Sequence, residues 1–349
     1  MGRMVDGEWR TEAEMIDHGE GGEFEREETS FRDWVGEDFP AESGRYHLYV
    51  SYACPWAHRT LVTRKLKGLD DAVSVSVVDP VRYDQGWEFD ADKPGATPDH
   101  LFGSDYLREV YAQADPEYTG RVTVPVLYDT EADTIVNNES EEIMRMLDVA
   151  FDDYAERDVD LYPEGYQEDV DRLVDDIYDP INNGVYRAGF ADTQEAYDDA
   201  VSDLFEALDH YDDVLADQRY LAGDVLTEAD VAMFTTLYRF DEVYHTHFKC
   251  NRKRIVDYDN LWPYLRELCQ LGAAGPSEGA PNERTGSEAT RESSVVEDTL
   301  NMDHVKQHYY RSHDHLNPKR LVPVGPGPDF FAPHDRDELP GGPPEALRE

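Results

Sequence analysis

The chemistry of this chain starts at one thiol. Cys54 is followed by Pro55-Trp56-Ala57-His58-Arg59 and then by TLVTRKLKGL, an apolar pattern of helical period. Pro55 suits the first helical position, where its missing N–H costs nothing. The Cys54 sulfur is therefore expected to meet the free N–H groups of a helix N-terminus, which with the helix dipole lower a thiol's pKa. Arg59, one turn in, adds positive potential. The competing reading is a structural cysteine packed as a small hydrophobe; the strand–Cys–Pro–helix context favours the reactive thiol. The other cysteines, Cys250 and Cys269, stand far away, and an odd, sparse set is no disulfide framework. No Cys-x-x-Cys occurs, so neither a zinc knuckle nor a local dithiol is available. Without a second cysteine at i+3, Cys54 must form a mixed disulfide with a small thiol, resolved by a second molecule of that thiol.

Two further stretches could hold such a thiol. In Thr123-Val124-Pro125-Val126 a proline interrupts a run that otherwise reads as a central strand. A cis Val124–Pro125 bond would free the backbone of Val124 to pair with a peptide-like ligand; an edge-strand proline reads equally well in isolation. Glu139-Ser140 opens a helix and suits a carboxylate or α-amino group, or is an ordinary cap. Metal readings are weaker. His245-x-His247-x-x-Cys250 clusters three donors and His304/His308 have i, i+4 spacing, but no fourth ligand completes a tetrahedral set. No G-x-S-x-G, Walker loop or dinucleotide fingerprint is present.

The elements that must position these groups follow from pattern. YHLYVS (46–51) and VSVSVV (73–78) read as strands flanking the Cys-Pro helix, a βαβ unit ended by Gly68. A polar, aromatic insertion (80–120) with a short helix near 103–112 precedes strands at 122–129 and 133–138 and a helix at 139–151. That order is thioredoxin-like. Beyond Pro163 only helices are expected, over 164–187, 192–217, 227–246 and 260–270, with a short ordered segment at 299–318. The expected fold is an α/β thioredoxin-like N-terminal domain followed by an all-α C-terminal domain. Its parts are an N-terminal extension (1–45), a thiol-binding domain (46–151), a helical substrate domain (160–325) with a flexible insertion at 272–296, and an irregular tail (326–349).

Composition sets the surroundings. Over 349 residues, 77 Asp+Glu against 32 Lys+Arg give a formal net charge of −45, and the hydrophobic fraction is 40%. Phosphate neutralisation needs clustered cations, so nucleic acid and anionic membrane are excluded as sequence-independent partners. No apolar run reaches the length of a membrane span and the N-terminus has no secretory h-region, which leaves the cytoplasm. The acids are spread along the chain and only seven of the bases are Lys. This is the pattern expected of a surface adapted to a halophilic cytoplasm, where salt screens self-repulsion.

The quoted residues, together with Asn137-Asn138, Asn182-Asn183-Gly184-Val185-Tyr186-Arg187-Ala188-Gly189-Phe190, Arg239-Phe240-Asp241, His247-Phe248-Lys249-Cys250-Asn251 and Asp303-His304-Val305-Lys306 with His308-Tyr309-Tyr310, resemble the glutathionyl-hydroquinone reductases, or Xi-class glutathione transferases, from about Gly22 to about Gly325. The resemblance implies a glutathione-transferase fold, usually a homodimer, and reductive removal of a thiol from an S-conjugated hydroquinone. It implies that Cys54 attacks the conjugate's sulfur. It puts Trp87, Arg121, Val124, Pro125, Glu139 and Ser140 at the thiol and Tyr186, Tyr244 and Tyr309 around the hydroquinone. The co-substrate would be glutathione, or γ-glutamylcysteine in a halophile, with no metal. Omega-like thiol transfer or dehydroascorbate reduction, and a non-catalytic scaffold, are the alternatives; an unreactive Cys54 would mark the scaffold.

Overall fold

The computed structural model describes residues 2–11, 17–19, 21–36, 38–273 and 293–348. The chain opens with two small hairpins, β1 (Arg3–Val5) with β2 (Glu8–Arg10) and β3 (Asp17–His18) with β4 (Phe24–Glu25). A four-stranded sheet follows, built from β5 (Tyr46–Val50), β6 (Val73–Val77), β7 (Val126–Asp129) and β8 (Thr134–Asn137) in the order β6-β5-β7-β8. β5 pairs parallel with β6 (Tyr46 opposite Val73) and antiparallel with β7 (Leu48 opposite Leu127), and β7 antiparallel with β8. The parallel pair needs a crossover, and the helix after Cys54 supplies it.

That helix, α1, runs Pro55–Lys67 with Pro55 in its first turn. It ends at Gly68, whose φ of 70° is left-handed and whose N–H closes on the Arg64 and Lys65 carbonyls. α2 (Leu107–Ala114) lies in the insertion and α3 (Ser140–Val149) follows β8. The strand expected from residue 122 begins only at Val126, because Pro125 has no N–H to give the ladder.

The second half is helical. The single helix expected over 164–187 is broken: α4 (Gln167–Ile177) passes into a π-turn at Tyr178–Asn182 and then α5 (Gly184–Gly189). Pro180 sits in the break and the Asn183 N–H reaches back five residues to the Tyr178 carbonyl at 2.7 Å. α6 (Gln194–Val214) and α7 (Glu228–Arg239) follow, and α7 continues through a π-turn at Phe240–Tyr244 into α8 (His245–His247). α9 (Leu261–Cys269) and α10 (Met302–Ser312) complete the set. Among the described residues no helix is long and apolar enough to cross a membrane.

Of the insertion expected at 272–296, residues 274–292 lie outside the described residues, while its ends are packed. The Val295 N–H bonds the Leu271 carbonyl at 2.8 Å and Val296 is fully buried. The segment from 326 is irregular apart from two single turns, Arg336–Glu338 and Glu345–Leu347. It is nonetheless anchored: the buried Arg336 donates to the carbonyls of Leu215, Gln218 and Arg219.

Separate apolar cores fill the sheet layer and the helical half. α1 packs between α3 and α7, so the helix that begins at Cys54 is also the joint between the halves. Arg145 of α3 meets the buried Glu228 of α7 in an ion pair across that joint.

Candidate active site

Cys54 sits where the sheet layer meets the helices. Its φ and ψ of −78° and 122° are extended, so the thiol stands ahead of the first helical turn, half-buried and turned toward Val124, whose carbonyl accepts from Sγ at 3.5 Å. Burial pushes the Cys54 thiol up; the Ala57 N–H, Arg239, the Trp56 N–H and Arg26 pull it back. The net direction is upward, which corrects the expectation of a depressed pKa: the helix N-terminus acts as foreseen, but the walls of the cavity withhold water from the anion.

The loop carrying Cys54 is clamped from the helical half. Arg239, fully buried at the end of α7, donates to the carbonyls of Ala53 (2.9 Å), Tyr52 (2.8 Å) and Thr235 (2.6 Å), and to Nδ1 of His58 at 3.1 Å. With Nδ1 accepting, the Nε2–H of His58 faces Thr299 Oγ1 at 3.0 Å. Burial, then Arg239, hold His58 neutral. Arg59 donates to Asn182 Oδ1 at 2.5 Å, and Asn182 donates to Thr236 Oγ1 and the Ala232 carbonyl. The π-turn is what aims Asn182 at α1.

A cavity of about 520 Å³ opens over Cys54 and takes in Trp87, Arg121, Val124, Pro125, Glu139, Ser140, Tyr186 and Tyr309. At one end lies the start of α3. Glu139 is its N-cap, with its carboxylate accepting from Thr29 Oγ1 and Ser140 Oγ, both at 3.3 Å. The Val124–Pro125 peptide beside it is cis. Trp87 forms a side wall, stacked on His308 with centroids 5.1 Å apart.

At the other end the phenols converge. Tyr186 and Tyr309 hydroxyls are 2.5 Å apart, and Tyr309 meets Tyr244 at 3.0 Å. Tyr244 does not line the cavity; it is fully buried behind Tyr309 and anchors it. Burial raises all three phenols, Tyr244 and Tyr309 most, so they are proton donors near neutrality. Phe248 packs behind Tyr186, ring centroids 5.5 Å apart, and against Gly189, where an added Cβ would stand 2.3 Å from the ring. His313 stacks on Phe248 at 5.9 Å and sits 3.3 Å from His247.

Several lining groups were not among the expected site residues. The N-terminal extension supplies Phe24, Arg26, Thr29 and Arg32. Arg26 lies between the rings of Trp56 and Tyr186, 4.8 and 5.0 Å from their centroids. Arg82, His308 and His313 also line the cavity. Two cations of the quoted motifs do not line the cavity: Arg187 pairs with Asp203 (3.1 Å) and Lys249 is exposed. The paired-histidine metal reading does not assemble: His304 and His308 ring nitrogens face the carbonyls of Pro94 and Pro80. Among the described residues no three His, Cys, Asp or Glu converge as metal ligands.

Residues 53–150 match the family model for the glutathione S-transferase N-terminal domain and residues 194–267 that for its C-terminal domain. The chain is 46% identical to the glutathionyl-hydroquinone reductase YqjG of Escherichia coli K12, over 97% of this chain and 99% of that protein. It is similar to the solved Xi-class transferase of Natrialba magadii, with 60% identity, a TM-score of 0.86 and 98% of each chain covered. The glutathione-bound structure of YqjG superposes with a TM-score of 0.81 at 45% identity, covering 96% of this chain and 99% of that one.

Proposed function

Since the chain belongs to the glutathionyl-hydroquinone reductases, the Xi class of the glutathione transferases, we propose that its thiol-dependent reduction of S-conjugated hydroquinones runs through Cys54. The enzyme removes a glutathione-type thiol from the aromatic ring. In the proposed course a phenol of the Tyr186–Tyr309 pair delivers a proton to the ring carbon that bears sulfur. The Cys54 sulfur bonds the conjugate's sulfur, the C–S bond breaks, and its electron pair stays with the ring as the new C–H. The carbon is reduced while Cys54 and the thiol are oxidised to a mixed disulfide. A second thiol molecule attacks that disulfide, leaves as the symmetrical disulfide, and returns Cys54.

The observation that carries this reading is that Cys54, Glu139, Ser140, Tyr186 and Tyr309 all line one cavity. Glu139 and Ser140 at one end suit an α-amino acid head group, with Trp87, Arg121, Val124 and Pro125 along the thiol; Tyr186 and Tyr309, backed by Tyr244, suit a hydroquinone. Burial keeps the resting Cys54 thiol protonated, so its proton leaves as the sulfur attacks, with the Ala57 and Trp56 N–H groups, Arg239 and Arg26 stabilising the anion.

Glutathione or γ-glutamylcysteine is the proposed co-substrate, with no metal, in a homodimer. The −45 charge supports a halophilic cytoplasm, and three free cysteines fit a reducing compartment. The test is mass spectrometry of the protein trapped at acid pH from its host and after incubation with a glutathionyl-hydroquinone. A Cys54 adduct of one small thiol, lost on adding more of that thiol, is expected. Hydroquinone release with an unmodified, dispensable Cys54 would overturn the reading.

A further inference from the structure

Arg82 is a cation of the cavity that forms no ion pair among the described residues. It lies five residues past β6, and its backbone N–H donates to Ser312 Oγ of α10 at 3.0 Å. Its guanidinium packs over Trp87, 5.1 Å from the ring centroid, and Nε is buried without a hydrogen-bond partner. The groups that face its charge are the Cys54 thiol and the Tyr186 and Tyr309 phenols; no carboxylate is among them. The nearby imidazoles of His308 and His313 are kept neutral by burial and by Arg82 itself, so they offer no counter-charge. Asp84 and Asp314 line a separate small recess on its outer side, where Asp314 pairs with Arg320 at 3.2 Å. Of the other cavity arginines, Arg26 donates to Asn183 Oδ1, Arg32 pairs with Glu142, and Arg121 is likewise engaged.

In a chain with 77 acids for 32 bases, leaving a guanidinium unanswered inside a cavity is a costly arrangement. It becomes favourable when a ligand brings the anion, and the planar fork of arginine matches a carboxylate in two hydrogen bonds. The side of the cavity decides which ligand. Arg82 lies over Trp87 and acts on Cys54 and the Tyr186 and Tyr309 phenols, and Glu139 at the start of α3 is not among the groups that face its charge.

We propose that Arg82 is a specificity-determining residue that receives a carboxylate carried on the hydroquinone ring, making conjugates of hydroquinone carboxylic acids the preferred substrates. This rests on the hydroquinone reading of the site given above. A carboxylate lost from a water-poor pocket that was built to receive it changes selectivity by about 10- to 100-fold.

The experiment compares kcat/KM for the glutathionyl conjugates of 2,5-dihydroxybenzoate and of unsubstituted hydroquinone, in the wild type, Arg82→Met and Arg82→Lys. The wild type should favour the acid by about 10- to 100-fold, Arg82→Met should lose that preference, and Arg82→Lys should keep part of it. Equal losses on both conjugates, or no preference in the wild type, would overturn the proposal. So would a rise confined to the KM of the free thiol, which would assign the carboxylate to the thiol instead. Direct binding of free 2,5-dihydroxybenzoate against hydroquinone, by calorimetry on folded variants, tests Arg82 separately from turnover. If the wild type turns over neither conjugate yet binds the acid more tightly through Arg82, it is the hydroquinone reductase reading that fails.

Discussion

The two ends of the cavity are made in different ways. The thiol end is mostly local: Arg121, Val124, Pro125, Glu139 and Ser140 lie within twenty residues of one another, around a strand entry and a helix cap, and of the proposed thiol residues Trp87 alone comes from outside that stretch. Its groups are carbonyls, a carboxylate and hydroxyls, the vocabulary of peptide recognition. The aryl end is assembled from afar. Tyr186, Tyr244 and Tyr309 come from α5, the π-turn after α7, and α10, and they touch only because those elements pack together. Its groups are rings, neutral imidazoles and one unanswered guanidinium. The first end should therefore govern how tightly a thiol binds. The second should govern how fast the carbon–sulfur bond is broken.

Cys54 stands on the boundary and its loss should be the largest effect. Cys54→Ser keeps the shape but replaces the nucleophile with a hydroxyl, and turnover of a glutathionyl-hydroquinone should fall by at least about 1,000-fold, or about 4 kcal/mol. The fall should be the same at every thiol concentration. Retained turnover would remove the boundary on which the comparison depends.

Next in size, Tyr309→Phe removes the hydroxyl that joins the other two. A proton donor of this type contributes about 100-fold or more, so kcat should drop by that factor while the thiol KM stays within about twofold. Tyr244→Phe should cost less, about 10-fold, because Tyr244 reaches the cavity only through Tyr309. If Tyr244→Phe were the more damaging, the phenols would act as a single relay and not as a lining with a support.

The aryl end should also be the acid-sensitive one. Burial lowers His247 to about 4, with His315 and Lys249 adding to the effect, and holds His308 and His313 well below their ordinary range. The unfolded chain takes up protons on these groups from about pH 6.5 downward, before the folded one does. Their neutral burial therefore contributes stability that is present above 6.5 and is lost as pH falls toward 4, at about 1.4 kcal/mol per pH unit for each group. Thermal unfolding followed between pH 7 and 4 should show that slope, and His247→Gln should flatten it. His47, also lowered to about 4 by burial, sits in the sheet between Ser74 and Ser76, so His47→Gln should flatten the slope too without altering the aryl site.

The same contrast explains what could be read from the sequence. The crossover helix and the helix cap at Glu139 are local consequences of Pro55 and the acidic turn that follows, and each is present where the residues put it; the Val124–Pro125 peptide is cis, one of the two readings that its proline left open. The aryl end was legible only through resemblance, because no spacing rule links residues 186, 244 and 309. The break at Pro180 was missed since helical periodicity runs on across it, although the proline itself was the available signal. Neither Arg26 nor Arg82 was an expected site residue, for an arginine's pairing is a tertiary fact. The rise of the Cys54 thiol was missed for a related reason: the dipole is visible in sequence, and the cavity that outweighs it is not.

The smallest predicted effect tests the separation most directly. Glu139 holds its carboxylate between Thr29 and Ser140, on the half-exposed rim of the cavity. Ser140 is 2% exposed, and its substitution removes one hydroxyl that donates to that carboxylate, so the loss is that of an ordinary hydrogen bond, about 1 kcal/mol. Ser140→Ala should raise the thiol KM by about 3- to 10-fold and leave kcat for the conjugate within about twofold. Thiol binding contributes equally before and during bond breaking if the cap only grips the head group, and such uniform binding appears in KM alone. A matching fall in kcat would mean that the cap also fixes the sulfur against Cys54, and the two ends would then be one catalytic unit.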